Sequence, residues 1–162
     1  MCKEAPVFAF FFTKQIDITG GTILNFNIGD NVIVTNVFSP YKYTTGKLIA
    51  INNPKCGIET GANEIIILDI VEISRVASAE IKRTRKDMRQ AANNHTVTSV
   101  QFDDNSIMYL TFANPIGHPE IIHPRISNGN QPFVCVDSKP NGWYLFTNFT
   151  GKVYILKIKT IK

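Results

Sequence analysis

Apolar residues along this chain fall in short alternating runs that are separated by turn residues. Between residues 7 and 76 the runs are VFAFFF, QIDI, TILNFNI, NVIVTNVF, TTGKLIAI and EIIILDIVEISRV, with Gly, Asp, Asn and Pro between them. Short runs rich in Ile, Val and Phe are typical of β-strands. The pattern predicts a small antiparallel sandwich or barrel, in which NNPKCGIETGAN is a loop before one long strand over 64–76.

The segment from Gly29 to Val76 has a characteristic order of turn glycines and aliphatic residues. It is G-D-x-V-x-V, a loop, G-x-L-I-x-I, a second loop and a long apolar strand. This order resembles that of SH3-like and Sm-like small barrels. Such barrels serve nucleic-acid binding, peptide binding and structural roles alike, so the resemblance implies a fold and no single activity.

The stretch SAEIKRTRKDMRQAANNH at 78–95 has a helical pattern instead. Ser78 is the predicted N-cap, and Asn93 and Asn94 mark the predicted end. A thin apolar stripe at helical spacing is formed by Ala77, Ile81, Met88 and Ala92. Because this stripe is too narrow for a core helix, we expect a surface helix over 78–92 that joins two β modules or lies against one of them.

Strand patterns resume after His95 as TVTSVQF, SIMYLTF, QPFVCVD, GWYLFTNF and KVYILKIKTIK. Predicted turns lie at 103–105, 141–142 and 150–151, and a proline-rich connection around 113–132 is not expected to hold regular structure throughout. The predicted fold is therefore mainly β, with two small antiparallel barrel or sandwich modules at 1–76 and 95–162, the first SH3-like. A basic surface helix within 77–94 joins them.

Composition narrows the class of protein. A chain of 162 residues with 44% hydrophobic and 19% charged residues can form a stable globular core. Cys2, Cys56 and Cys135 have irregular spacing that fits neither a disulfide framework nor paired zinc ligands. No apolar run approaches the length of a membrane span, and VFAFFF is too short for a signal peptide. We expect reduced thiols, a virion or cytoplasmic location and no membrane partner.

The formal charge of +4 is distributed unevenly. Residues 80–89 carry five Lys and Arg against two acids, which leaves +1 for the rest of the chain. On a helix, Lys82, Lys86 and Arg89 share one face with Arg85 beside them, in reach of nucleic-acid phosphates. A solvated face is the more common outcome for such a charge run. No aromatic residue lies between these cations, so base stacking from this segment is excluded.

Residues with catalytic or metal-binding chemistry are sparse. His118, Glu120 and His123 suggest a metal, but Pro119 and Pro124 argue against the helix that zinc-protease spacing requires. In an extended chain His123 points away from the other two. No G-x-S-x-G, P-loop or G-x-G-x-x-G motif after a strand is present. We expect no catalytic residue, no metal and no cofactor.

Aromatic side chains are the remaining signal. Phe11 lies opposite Phe10 on the predicted first strand, Tyr41 and Tyr43 lie in a loop, and Trp143 follows a turn. Such residues mark protein interfaces or, with lysines nearby, platforms for single-stranded nucleic acid, although core packing of a β fold would also use many of them. Phe11, Tyr41, Tyr43 and Trp143 are the predicted interface residues.

Three classes of function remain, in order of preference: an assembly protein, a nucleic-acid-binding module and an enzyme. The first is a non-enzymatic structural or assembly protein, such as a capsid- or tail-associated component of a bacteriophage, that contacts other protein subunits. A composition rich in Ile, Asn, Lys and Phe favours an AT-rich genome, which fits many phages but bacteria too. The alternative is a small-barrel nucleic-acid-binding module that uses Lys82, Arg85, Lys86 and Arg89 of the basic helix.

Overall fold

The computed structural model describes residues 15–18, 22–148 and 150–162. Strands dominate these residues, which also contain one α-helix and one 3₁₀ turn. The prediction of a mainly β protein is confirmed. Contacts divide the chain into two compact units, residues 1–76 (unit 1) and 77–162 (unit 2). The predicted strand VFAFFF, with the predicted interface residue Phe11, lies outside the described residues.

The described strands of unit 1 form two antiparallel sheets. Strands β1 (Gln15–Ile18) and β2 (Thr22–Asn25) pair with each other. The larger sheet contains β3 (Asn31–Val34), β4 (Thr45–Asn52), β5 (Lys55–Thr60), β6 (Ile65–Asp69) and the start of β7 (Ile73–Arg83). Its order is β7-β3-β4-β5-β6, and every neighbouring pair is antiparallel. The 3₁₀ turn (Ile70–Glu72) separates β6 from β7.

Two predictions for unit 1 are wrong. The predicted single strand over 64–76 is divided by the 3₁₀ turn, where the Asp69 N–H donates to Glu72 Oε2 at 3.0 Å and the Ile70 N–H donates to the Pro54 carbonyl at 2.7 Å. The predicted loop NNPKCGIETGAN contains β5 in its middle. Turn residues on both sides of this short strand gave the whole stretch the composition of a loop.

The core of unit 1 consists of Phe26, the Cys56 thiol and aliphatic side chains from the larger sheet and the 3₁₀ turn: Val32, Val34, Leu48, Ile51, Ile58, Ile66, Leu68, Ile70 and Ile73. Burial of one such aliphatic side chain contributes about 1.5–3 kcal/mol. Gly46 of β4 packs so closely that a Cβ there would meet the Glu59 carbonyl and the Ile58 side chain. Because Val34 of β3 and Leu48 of β4 are both in this core, the strands on either side of loop 35–44 are held in place.

Unit 2 contains two four-stranded sheets. Strands β8 (Thr98–Gln101), β9 (Ile107–Ala113), β10 (His123–Asn128) and β11 (Gln131–Pro132) form one, in the order β11-β10-β9-β8. Strands β12 (Val134–Lys139), β13 (Trp143–Thr147) and β14 (Val153–Thr160) form the other with the end of β7, in the order β12-β13-β14-β7. Both sheets contribute to one core, which includes Phe102, Met108, Leu110, Phe112, Ile126, Phe146, Tyr154, Leu156 and Ile158.

Helix α1 (Arg85–Asn94) is shorter than predicted and belongs to unit 2. The start at Ser78 is wrong because residues 78–83 continue strand β7, as the core-facing alternation of Ala77, Ala79 and Ile81 requires. Thr84 is the N-cap, and its side chain accepts a hydrogen bond from the Asp87 N–H at 2.9 Å. The helix packs against β9 through two buried residues, Met88 and Ala92.

Strand β10 lies in the proline-rich connection where the sequence predicts little regular structure. Pro124 has no N–H to donate, yet it pairs with Phe112 of β9 inside this strand. Among the described residues, no strand pairs with its other side, because β11 pairs only with Ser127 and Asn128. Proline is accepted at such an edge position, which explains how a strand forms despite the residue that usually argues against one.

Candidate interaction surfaces

Loop 35–44 connects β3 and β4 of unit 1 and carries exposed apolar side chains. Phe38 is 92% exposed, Val37 is 56% exposed and Tyr41 is 39% exposed. Large apolar side chains that lie close together on a surface are typical of interaction sites. The loop is therefore the first candidate surface.

Glu72 of the 3₁₀ turn anchors this loop. Its carbonyl accepts a hydrogen bond from the Thr35 N–H at 2.8 Å, and its Oε1 accepts one from Asn36 Nδ2 at 2.9 Å. The other carboxylate oxygen accepts the Asp69 N–H at 3.0 Å. One residue thus holds the beginning of the loop and the 3₁₀ turn together.

Further hydrogen bonds shape the loop from inside. The Phe38 N–H donates to Asn36 Oδ1 at 3.0 Å, and the Tyr41 N–H donates to Ser39 Oγ at 3.0 Å. The Tyr43 N–H donates to the Val34 carbonyl at 2.8 Å, which closes the loop at its base. Short-range bonds of this kind fix the backbone that presents the exposed rings.

The structure distinguishes the two tyrosines predicted for an interface. Tyr41 is exposed, whereas Tyr43 is half-buried at the base of the loop with a φ of 64° and Lys42 Nζ 5.1 Å from its ring centroid. An interface role for either residue stays a prediction. Phe38 was missed by the sequence analysis because NVIVTNVF has the composition of one strand, whereas β3 ends at Val34.

The four cations predicted to share one helical face lie on two elements. Lys82 is in β7, while Arg85, Lys86 and Arg89 are in α1, and all four are exposed. The prediction that these four cations share one helical face is therefore wrong, because the helix begins after Lys82. A role of these residues in nucleic-acid binding stays a prediction.

Arg85 lines an open cleft of about 550 Å³ in unit 2. The start of α1, the turn between β12 and β13, and the end of β14 form its walls, and these bring Lys139 and Lys159 to the same cleft. No Asp or Glu among the described residues lines it. Tyr144 also lines the cleft, and partial burial raises the pKa of its phenol above the ordinary value. We call this feature the cationic cleft.

Trp143 lies between two lysines of neighbouring strands, and its side chain is on the opposite face of the sheet from that of Tyr144, which lines the cationic cleft. It pairs with Lys139 of β12 and with Lys157 of β14. Side chains at paired positions lie on the same face of a sheet. Lys139 Nζ is 5.6 Å from the centroid of the Trp143 ring. The sheet thus aligns a lysine, a tryptophan and a lysine across three strands.

The residues considered for a metal are spread over a loop and a strand. His118 Nδ1 lies 3.3 Å from Glu120 Oε1, and both side chains are exposed. His123 begins β10. Among the described residues, no group of three or more His, Cys, Asp or Glu is arranged to hold a metal ion. The expectation that the protein carries no metal stays a prediction.

A second open cavity of unit 2, about 630 Å³, is lined by Cys135, His123, Arg125 and Tyr144, among others. Burial raises the pKa of the Cys135 thiol, and its Sγ donates to the Asp137 carbonyl at 3.4 Å. A nucleophilic cysteine needs the opposite shift, towards the thiolate. The cavity therefore gives no reason to assign Cys135 a catalytic role.

Comparisons with protein-family models, with curated proteins and with solved structures give no significant match to this chain. In the part of the chain that the structure describes, no helix is long and apolar enough to cross a bilayer. Within the described residues, loop 35–44 presents exposed apolar side chains, and the cationic cleft is lined by basic residues.

Proposed function

We propose that this chain is a non-enzymatic structural or assembly protein that binds other protein subunits through loop 35–44. The observation that carries the proposal is Phe38, whose side chain is 92% exposed on a backbone fixed by hydrogen bonds. Burial of a phenylalanine side chain contributes about 1.5–3 kcal/mol. A loop that already has its bound shape loses little conformational entropy on association. An apolar anchor on a preorganised loop is how many interface hot spots are built.

The strand order of unit 1 supports an SH3-like small barrel as its fold. Strands β3 to β6 pair in sequence, and β7 returns after the 3₁₀ turn to pair with β3. This order agrees with the resemblance of the segment from Gly29 to Val76 to such barrels. In folds of this size, connecting loops commonly carry the binding residues while the strands supply a rigid base.

A virion is the assembly we assign, with the chain as a capsid- or tail-associated component of a bacteriophage. The support is compositional, because Ile, Asn, Lys and Phe are frequent as in proteins of AT-rich phage genomes. The proposal requires only protein contacts through loop 35–44, and the same loop would serve a cytoplasmic assembly.

Site-specific crosslinking tests the proposal directly. Phe38 is replaced by photoreactive benzoylphenylalanine, and the full chain is illuminated in the cells that naturally produce it. We expect a discrete crosslinked product at position 38, because the ring is buried against a neighbouring subunit in the assembly. Electrophoresis followed by mass spectrometry identifies the partner, whether it is a second copy or another protein.

The matched control places the same photoreactive residue at Ile116. This residue is also fully exposed and apolar, but it lies in a loop of unit 2. We expect little or no discrete product at position 116. Equal crosslinking at both positions, or none at position 38, would contradict the proposal.

A further inference from the structure

We propose that two copies of the chain associate through the outer edge of strand β6 in unit 1. The outer edge is the side of Ile65–Asp69 that faces away from β5, and we call it the β6 edge. In the dimer the two β6 strands pair antiparallel about a twofold axis, so that Ile65 of one copy lies opposite Ile67 of the other. Loop 35–44 is not part of the β6 edge, so this inference does not rest on the proposed function.

The backbone of β6 directs polar groups away from its own sheet. Among the described strands, β5 is the one that pairs with β6. Just after β6, the Ile70 N–H donates to the Pro54 carbonyl at 2.7 Å. Residues of an antiparallel pair alternate between hydrogen-bonded and non-hydrogen-bonded positions. Counted back from Ile70, the N–H and C=O groups of Ile65 and Ile67 therefore point outward, ready to pair with a further strand.

The side chains of the same two residues are apolar and exposed. Ile65 is 52% exposed and Ile67 is 63% exposed, whereas Ile66 and Leu68 between and beside them are buried in the core of unit 1. Ile67 lies over Gly57 of β5, where an added Cβ would be 3.6 Å from Ile67 Cδ1. The β6 edge thus combines outward backbone groups with an exposed apolar face.

Strand β6 lacks the features that usually protect a sheet edge. Native edge strands carry lysine, proline, inward-facing charges or β-bulges, because an unprotected edge pairs with other chains. Edge strand β12 of unit 2 follows this rule, since it has a bulge between Cys135 and Asp137 and ends in Lys139. By contrast, β6 begins with four aliphatic residues, 65–68, and its register with β5 has no shift. Its sequence and geometry therefore favour pairing with a strand of another chain.

A second copy is the partner that this edge fits, because the edge is self-complementary. With Ile65 of each copy opposite Ile67 of the other, both outward N–H groups and both outward C=O groups of each copy find a partner. The exposed isoleucines then form cross-strand pairs on one face of a continuous sheet. The Asp69 carboxylate at the end of β6 is compensated by Lys55 Nζ at 2.8 Å, so it does not oppose the approach of a second copy.

The test measures the dimer dissociation constant of the purified full chain by sedimentation equilibrium at several concentrations. The variant Ile65→Lys/Ile67→Lys places lysines opposite each other at both cross-strand pairs of the dimer. Its matched control, Ile107→Lys/Ile116→Lys, makes the same change at two exposed isoleucines of unit 2. The variant Ile65→Lys/Ile67→Glu places a lysine of one copy opposite a glutamate of the other. Circular dichroism verifies the fold of each variant.

We expect a concentration-dependent monomer–dimer equilibrium for the wild type, because one pair of short strands buries less area than an obligate dimer interface. The double lysine variant should raise the dissociation constant by at least about tenfold, since like charges oppose each other twice. The control should change it by less than about threefold, because its charges lie outside the edge. The mixed-charge variant should recover most of the lost affinity. Phe38→Ser should dimerise like the wild type, which separates this edge from the proposed function.

Three results would overturn the proposal. A wild type that is monomeric at every concentration would leave the β6 edge to a strand of a different protein. An equal loss in the double lysine variant and its control would show that added charge alone weakens association. Failure of the mixed-charge variant to recover affinity, with its fold intact, would exclude the pairing of Ile65 with Ile67 across the twofold axis.

Discussion

Loop 35–44 and the cationic cleft differ in how the chain builds them. The loop is one continuous segment, which Glu72 holds at its beginning and the hydrogen bond from the Tyr43 N–H to the Val34 carbonyl closes at its base. The cleft takes its three cations from α1, from the end of β12 and from the end of β14. A local surface depends on a few hydrogen bonds, whereas a composite surface depends on the fold of a whole unit.

The two surfaces also differ in the force that would drive binding. Loop 35–44 presents apolar side chains, so its contacts should persist at high salt. The cationic cleft presents charged side chains, so an anionic ligand bound there would dissociate as salt increases. Salt is therefore a simple variable for separating contacts made by the two surfaces.

The largest difference that we expect between the units is in thiol reactivity. Cys56 is buried in the core of unit 1, where desolvation raises the pKa of its thiol to about 12, with Glu72 and Asp69 adding to the shift. Cys135 lines an open cavity of unit 2. Alkylation of the native protein should label Cys135 at least about a hundredfold faster than Cys56, which requires opening of the core to react. Peptide mapping by mass spectrometry measures both rates, and comparable rates would show that the core of unit 1 is open.

Glycine substitutions should produce the largest losses of stability. In Gly46→Ala the new methyl group meets the Glu59 carbonyl, and in Gly142→Ala it meets the Ile158 carbonyl at a residue whose φ is 84°. Each should lower the free energy of unfolding by about 2–3 kcal/mol. Gly46→Ala should disturb the backbone near loop 35–44, and Gly142→Ala should disturb the wall of the cationic cleft. Gly61→Ala is the control, since no atom lies within 4 Å of its added Cβ. Urea unfolding measures the free energy of unfolding of all three variants. If Gly61→Ala destabilises the protein as much as the other two, the explanation by close packing is wrong.

Removal of the loop anchor should have a smaller effect. Glu72→Ala leaves the Asp69 N–H and the Asn36 amide without their acceptors, which should cost about 2 kcal/mol. Amide hydrogen exchange should accelerate within loop 35–44 more than in β5. The exposed residue Glu64 supplies the control, because Glu64→Ala removes the same charge and should cost less than about 0.5 kcal/mol. Unchanged exchange in the loop would contradict the role given to Glu72.

The smallest effect concerns an ion pair of unit 2. Asp104 Oδ2 lies 2.9 Å from Lys152 Nζ. Desolvation raises the pKa of Asp104, but hydrogen bonds from Ser106 and Lys152 outweigh it and lower the pKa overall. The resulting stability is present above about pH 4 and is lost as the pH falls further. Asp104→Asn should cost about 1 kcal/mol or less at neutral pH and should remove this part of the acid dependence. Urea unfolding at neutral and acidic pH measures the free energy of unfolding of the wild type and the variant. An equal loss of stability at both pH values would contradict the role given to the Asp104–Lys152 ion pair.

The sequence was sufficient for the features that depend on local pattern. The mainly β class followed from alternating aliphatic runs, and the end of α1 was predicted to within two residues, since the helix includes Asn93 and Asn94 and His95 is its C-cap. The strand β5 and the division between β6 and β7 were not predictable, because they depend on pairing with β4 and on the contacts of Glu72. The first half of the predicted helix failed for a similar reason. Ala77 and Ile81 fit a period of four as well as a period of two, and only the pairing of β7 decides between them.

For the candidate surfaces too, the sequence predicts what depends on local pattern and not what depends on tertiary structure. Tyr41 was identified because Pro40 and the surrounding polar residues indicate a loop, but the exposure of Phe38 depends on where β3 ends. Trp143 was identified as an aromatic residue after a turn. Its position between Lys139 and Lys157 depends on strand register, which residues far apart in the chain determine together.

Gradient sedimentation of extracts from the cells that naturally produce the chain tests the assembly role most directly. Three forms are compared: the wild type, Phe38→Ser and Ile116→Ser, each with its fold verified by circular dichroism. We predict that the wild type and Ile116→Ser sediment with a large assembly, while Phe38→Ser remains with free protein at the top of the gradient. Sedimentation of Phe38→Ser with the assembly in the wild-type proportion, or of the wild type as free protein, would contradict the account.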